Sequence, residues 1–98
     1  MQFTIPKQLQ LGGTTILVKN VDKCSETTNE TDGQALYGKS LIELKKSYEW
    51  SQDYKDWVFF HELVHHIFYH MCEDDLRKNE NIVSRFATFL QQAIKTME

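Results

Sequence analysis

Proline occurs once in this chain, at Pro6, and glycine four times, at Gly12, Gly13, Gly33 and Gly38. Neither occurs beyond residue 50, so the second half holds none of the residues that most readily break a helix. Cysteine is scarcer still. Cys24 lies in a polar stretch and Cys72 far downstream; they are not spaced as C-x-x-C, and two reduced thiols are expected rather than a structural disulfide. No apolar run approaches the length of a transmembrane helix. Positive charge is not in excess, since eleven Lys and Arg stand against fourteen Asp and Glu, a net of −3. That balance offers no electrostatic case for binding nucleic acid or an acidic membrane surface. Residues 1–6 have neither the basic nor the apolar region of a signal peptide, so a cytoplasmic location is expected. The rest of the composition, 41% hydrophobic and 26% charged over 98 residues, is that of one globular domain, 1–98, with one core.

The chain divides by composition near residue 50. In the first half, segments 7–11 and 14–21 flank Gly12-Gly13, a pair that predicts a hairpin turn. Residues 24–33 are polar and predict a loop. Segments 34–37 and 40–45 are two further short strand candidates; Ile42 and Leu44 alternate with Glu43 and Lys45, as in a strand with one wet face. The second half predicts two helices. Ser51 or Asp53 can cap the first, which runs to about residue 71. Its apolar residues Trp57, Val58, Phe60, Leu63, Val64, Ile67 and Phe68 cover most of the circumference, so a central, largely buried helix is expected. Asp74 or Asp75 can cap the next. This last helix spans about 78–95, where Ile82, Val83, Phe86, Phe89, Leu90, Ala93, Ile94 and Met97 recur at three- and four-residue spacing. A small antiparallel or mixed sheet of 3–4 strands followed by two packed helices makes an α+β fold.

Within the first of these helices stands His61-Glu62-Leu63-Val64-His65. Histidines four positions apart occupy one helical face, one turn above the other. Neutral imidazoles at that spacing can both ligate one zinc ion, and the intervening glutamate then sits where it can take a proton from a water. The bland alternative is a pair of half-buried histidines packed beside Trp57 and Phe68.

An open zinc site needs a third protein ligand. On an ideal helix His66 is turned about 100° from His65, and His70 roughly 180° from His61, so neither easily reaches the same ion. Either could donate a hydrogen bond from the rim of the site as a secondary candidate, but two partly exposed histidines without such a role are expected. Glu73 would lie too far along the helix, and Cys72 about 10 Å up the same face. Glu80 is the first acidic residue whose helix can fold back against the first. Placed on or beside the apolar stripe, its carboxylate would need a compensating partner such as a metal. An exposed glutamate that complements the dipole of its own helix is the alternative.

HELVHH followed by E-N-I-V-S-R-F-A resembles the zincin-type metallopeptidases of the ImmA/IrrE kind, and more closely the short stand-alone metallopeptidases of phages and mobile elements. The resemblance runs nearly end to end. It implies His61, His65 and Glu80 as zinc ligands, Glu62 as general base, and a twisted sheet whose edge is open to an extended peptide. Val83 and His66 depart from the residues usual in the longer ImmA/IrrE pattern, Phe89-Leu90-Gln91-Gln92 replaces its L-L-x-P stretch, and no helix-turn-helix segment is attached. The expected function is peptide-bond hydrolysis on a peptide or protein substrate, with the 40–45 strand as the candidate for aligning it by β-augmentation. The competing expectation is a non-catalytic protein-binding module with a structural or vestigial metal site.

Overall fold

In a computed structural model, described for residues 3–25 and 31–98, the first half forms a four-stranded mixed sheet. Strands β1 (Gln8–Leu11) and β2 (Thr14–Val21) pair antiparallel through a two-residue turn. Gly12 and Gly13 there have φ of 55° and 80°, the left-handed conformations that a tight hairpin demands. Strand β3 (Gly33–Leu36) is followed by a 3-10 turn, Tyr37–Lys39, and by β4 (Leu41–Lys45). The spatial order is β1-β2-β4-β3, with β4 parallel to β2 and antiparallel to β3. Gly33 thus belongs to a strand and Tyr37 does not, a one-residue shift from the 34–37 expectation. Of the expected 24–33 loop, residues 26–30 lie outside the described residues.

Glu43 departs from the expected wet face. It is buried, because the chain after β2 returns over that side of the sheet and Ser25 donates both its backbone N–H and its hydroxyl to Glu43 Oε1, each at 2.9 Å.

The second half contains three helices where two were expected: α1 (Gln52–His70), a short α2 (Asp74–Lys78) and α3 (Glu80–Thr96). Ser51 caps α1, its side chain accepting from the Tyr54 backbone N–H at 3.1 Å. Asp74 and Asp75 are not caps but lie inside the first turn of α2. The cap of α3 is Asn79, whose Oδ1 accepts from the Ile82 N–H at 3.2 Å. Ile16, Ile42 and Leu44 of the sheet close one core with Val58, Phe59, Phe60, Val64 and Phe68 of α1 and Val83 and Ala87 of α3.

The stripe on α3 is narrower than its spacing predicts. Val83 and Ala87 are buried and Leu90 and Ile94 pack against the core, whereas Phe86, Phe89 and Met97 are exposed. The main neighbour, α1, covers only one row of a helix surface that is apolar over two.

Polar contacts set the register of α1 against α3. Lys95 Nζ lies 2.6 Å from carboxylate oxygens of both Asp53 and the buried Asp56. One turn along, Trp57 Nε1 donates to Thr88 Oγ1 at 3.1 Å. The helices therefore run antiparallel, and the start of α3 faces the middle of α1.

Candidate metal centre

That register brings Glu80 to His61 and His65. Glu80 Oε2 is 3.0 Å from His61 Nε2, and Glu80 Oε1 is 3.1 Å from His65 Nε2. One ligand atom from each of the three residues lies within 4.8 Å of the others, so the group could hold a metal ion. Donor atoms ~2.0–2.2 Å from a tetrahedral ion sit about 3.3 Å apart, near the two Glu80–histidine distances, which run to different carboxylate oxygens. Imidazole nitrogen and carboxylate oxygen are both acceptors when unprotonated, so contacts this short require a proton or a cation between them.

Glu80 reaches this position from an exposed place and not from the core. Its side chain is 66% accessible, against 14% and 11% for His61 and His65. The carboxylate therefore needs no compensating partner of its own; it closes the open side of a site whose floor is the α1 surface. As the first residue of α3 it also complements that helix's dipole, a role compatible with a place in a group that could hold a metal ion.

The outer faces of the two rings differ. His61 Nδ1 lies 3.5 Å from Ser84 Oγ, a long contact from the residue one turn beyond Glu80 on α3. His65 Nδ1 is buried and makes no hydrogen bond among the described residues, although the Arg77 backbone approaches the ring and favours its proton. A proton on each Nδ1 would leave the Nε2 lone pairs turned toward Glu80 and free to ligate. Burial holds His65 below the ordinary imidazole range, against the opposing pull of the Glu80 carboxylate, which suits a neutral ligand.

Glu62 is buried beside this group and packs under β3. A Cβ at Gly33 would lie 2.7 Å from Val58 Cγ1 and 3.0 Å from Glu62 Oε2, so strand and helix can approach this closely only with glycine there. Burial, and then the Glu80 carboxylate, push the Glu62 carboxyl up to about 8; a divalent cation held nearby would oppose that shift. His61 and Glu62 form one wall of a cleft of about 170 Å³ whose other side is Thr31, Asp32 and Gly33. Tyr54 donates its hydroxyl to Asp32 across the cleft. That bond, with burial and the Asp32 charge, pushes the phenol up to about 12.

The remaining histidines take no part. His66 is fully buried, and its Nε2 donates to the Leu41 backbone carbonyl at 2.9 Å. His70 Nδ1 lies 3.8 Å from where a Cβ on Gly12 would stand, beneath the β1-β2 turn. The expectation of a partly exposed ring is thus corrected for His66, and neither ring reaches the rim of the site: helical rotation carries both to the sheet side. A second correction concerns the sheet. The 40–45 strand is β4, which is internal between β2 and β3, so the edge adjoining the cleft is β3. Sequence reasoning does not reach Ser84 or Arg77. Ser84 carries the same four-residue spacing from Glu80 that His65 carries from His61, a signal that could have found it; a backbone contribution from Arg77 leaves no side-chain signature.

Comparison of the chain with protein-family models, curated proteins and solved structures finds no match. Among the described residues no helix is long and apolar enough to cross a membrane, and Cys24, buried, and Cys72, exposed, are both free thiols.

Proposed function

We propose that this protein is a zinc-dependent metallopeptidase of the ImmA/IrrE-like type, acting in the cytoplasm on a peptide or protein substrate. The reading rests on the convergence of His61, His65 and Glu80 within 4.8 Å, with the carboxyl of Glu62 beside them. Two imidazoles and one carboxylate are the ligand set of a catalytic zinc that keeps an open position. A zinc ion bound there would supply Lewis acidity, polarising the scissile carbonyl and acidifying a water.

The chain's own residues do the rest. Glu62 accepts the proton of the attacking water and returns it to the leaving amine. Its side chain is buried on α1 and packs against β3 at Gly33, which leaves the carboxyl few orientations. The outer edge of β3 faces no other strand among the described residues; an extended substrate paired there would cross the cleft beside His61. Asp32 and Tyr54 close one end of that path.

The test is hydrolysis of a fluorogenic peptide library by zinc-loaded wild type and Glu62→Gln, with bound metal measured in both. The expected result is about one zinc per chain in each protein and a ~10²–10⁴-fold loss of rate in the variant. Zinc-loaded wild type that cleaves nothing, or a variant that retains the rate, would overturn the peptidase reading in favour of a binding module.

A further inference from the structure

A cavity of about 210 Å³ opens between the ends of β2 and β4 and the start of α1, and none of His61, Glu62, His65 or Glu80 lines it. Its floor is apolar, made by Ile5, Leu44 and Val58, and Trp50 forms a wall. Tyr54 holds the Trp50 ring edge-on at 5.1 Å. The polar part of the lining includes Lys46 and Lys55 and, among the described residues, no carboxylate. In a chain with a net charge of −3, that local composition reverses the sign of the whole. Walls of low dielectric concentrate the positive potential inside such a recess. Among the described residues Lys46 forms an ion pair with Asp22 at 3.8 Å, both side chains being largely exposed; a pair of that kind is weak and readily exchanged for a better anion.

We propose that this cavity binds a small amphipathic organic anion, a carboxylate on a short hydrocarbon or aromatic body. Lys46 and Lys55 meet the carboxylate, and Ile5, Leu44, Val58 and Trp50 enclose the body. The recess is smaller than the ~300–1,000 Å³ that drug-sized ligands occupy, so the occupant is compact. The site does not depend on the metal centre.

The experiment is a calorimetric titration of octanoate and of 1-octanol into full-length protein. It is run with a chelator present, so that no carboxylate can bind through a metal. Wild type is compared with the Lys46→Met/Lys55→Met double variant, whose folding is checked by circular dichroism. The proposal expects one octanoate per chain, with affinity about tenfold weaker in the double variant and octanol about tenfold weaker than octanoate in wild type. No binding at millimolar octanoate, equal affinity for octanol, or an unaffected double variant would each overturn it. Amide chemical shifts of wild type give a second readout that needs no variant. Changes centred on Asn20, Ser47 and Trp50 support the site, and changes centred on His61 and Ser84 refute it.

Discussion

Helix α1 carries two pairs of histidines at the same four-residue spacing, and they meet different fates. His61 and His65, with ring centroids 5.0 Å apart, turn their Nε2 atoms toward Glu80. His66 and His70, with centroids 6.5 Å apart, turn toward the sheet, where His66 is consumed by the Leu41 carbonyl and packs against Tyr37 at 5.2 Å. Spacing on a helix is therefore necessary for a two-histidine site and insufficient for it. What separates the pairs is whether a third donor arrives from another element. Glu80 meets the first pair, whereas among the described residues no carboxylate joins the second, whose His66 Nε2 is taken by the Leu41 carbonyl.

The sharpest way to break this comparison is to remove one histidine from each pair. His65→Ala should lower zinc affinity by more than the roughly 100-fold expected from loss of an outer-shell partner, while His70→Ala should leave it unchanged. Metal content measured by elemental analysis after dialysis decides between them, and zinc lost equally from both variants would dissolve the distinction.

Stability should report the other pair. His66→Ala empties a fully buried position and orphans the Leu41 carbonyl, and a loss of about 2–4 kcal/mol is expected in denaturant unfolding of the chelated protein. Zinc stoichiometry should be unaffected.

Ser84→Ala probes the support of the first pair from α3. A contact as long as 3.5 Å places the effect at the low end of the range for such partners, about a tenfold weaker zinc affinity in competition with a chelating dye. An unchanged affinity would leave His61 oriented by packing against Trp57 alone, their rings being 5.1 Å apart.

The smallest effect is a difference in pH dependence. Burial lowers the His66 imidazole below its ordinary value of 6.5, and its neighbours His65 and His70 also disfavour the charged ring, against the Leu41 hydrogen bond. With a depressed folded-state value, the stability associated with His66 is fully present above about 6.5 and is lost as pH falls through the folded value. In chelated protein, stability measured from pH 7 to pH 5 should fall less steeply for His66→Phe than for wild type. Parallel curves would show that this ring does not titrate against folding.

Much of the fold is legible in the chain itself, and for identifiable reasons. Gly12-Gly13 between alternating strands specifies a hairpin because few other residues accept positive φ twice in succession. Ser51 before an apolar periodic run specifies where α1 begins. His61, Glu62 and His65 share a face by helical geometry alone. The less legible features mostly depend on two distant segments meeting. The burial of Glu43 requires Ser25 to fold over it, and the exposure of Phe86 and Phe89 reflects how much of α3 a single neighbour can cover. Asn79 does not stand out as a cap because the acidic run just before it offers caps of equal strength.

The amino-acid sequence by itself determined an α+β order of strands before helices, the start of α1, and three of the four residues of the candidate centre, because each follows from local backbone preference or from the period of one helix. Only the tertiary structure decided that β3, and not β4, is the edge beside the cleft, that Glu80 closes the site from the solvent side, and that His66 and His70 lie toward the sheet. Those facts depend on strand order and on the register of α1 against α3, which are set by contacts such as Lys95 with Asp53 and Asp56 across some forty residues of chain and which no local pattern encodes.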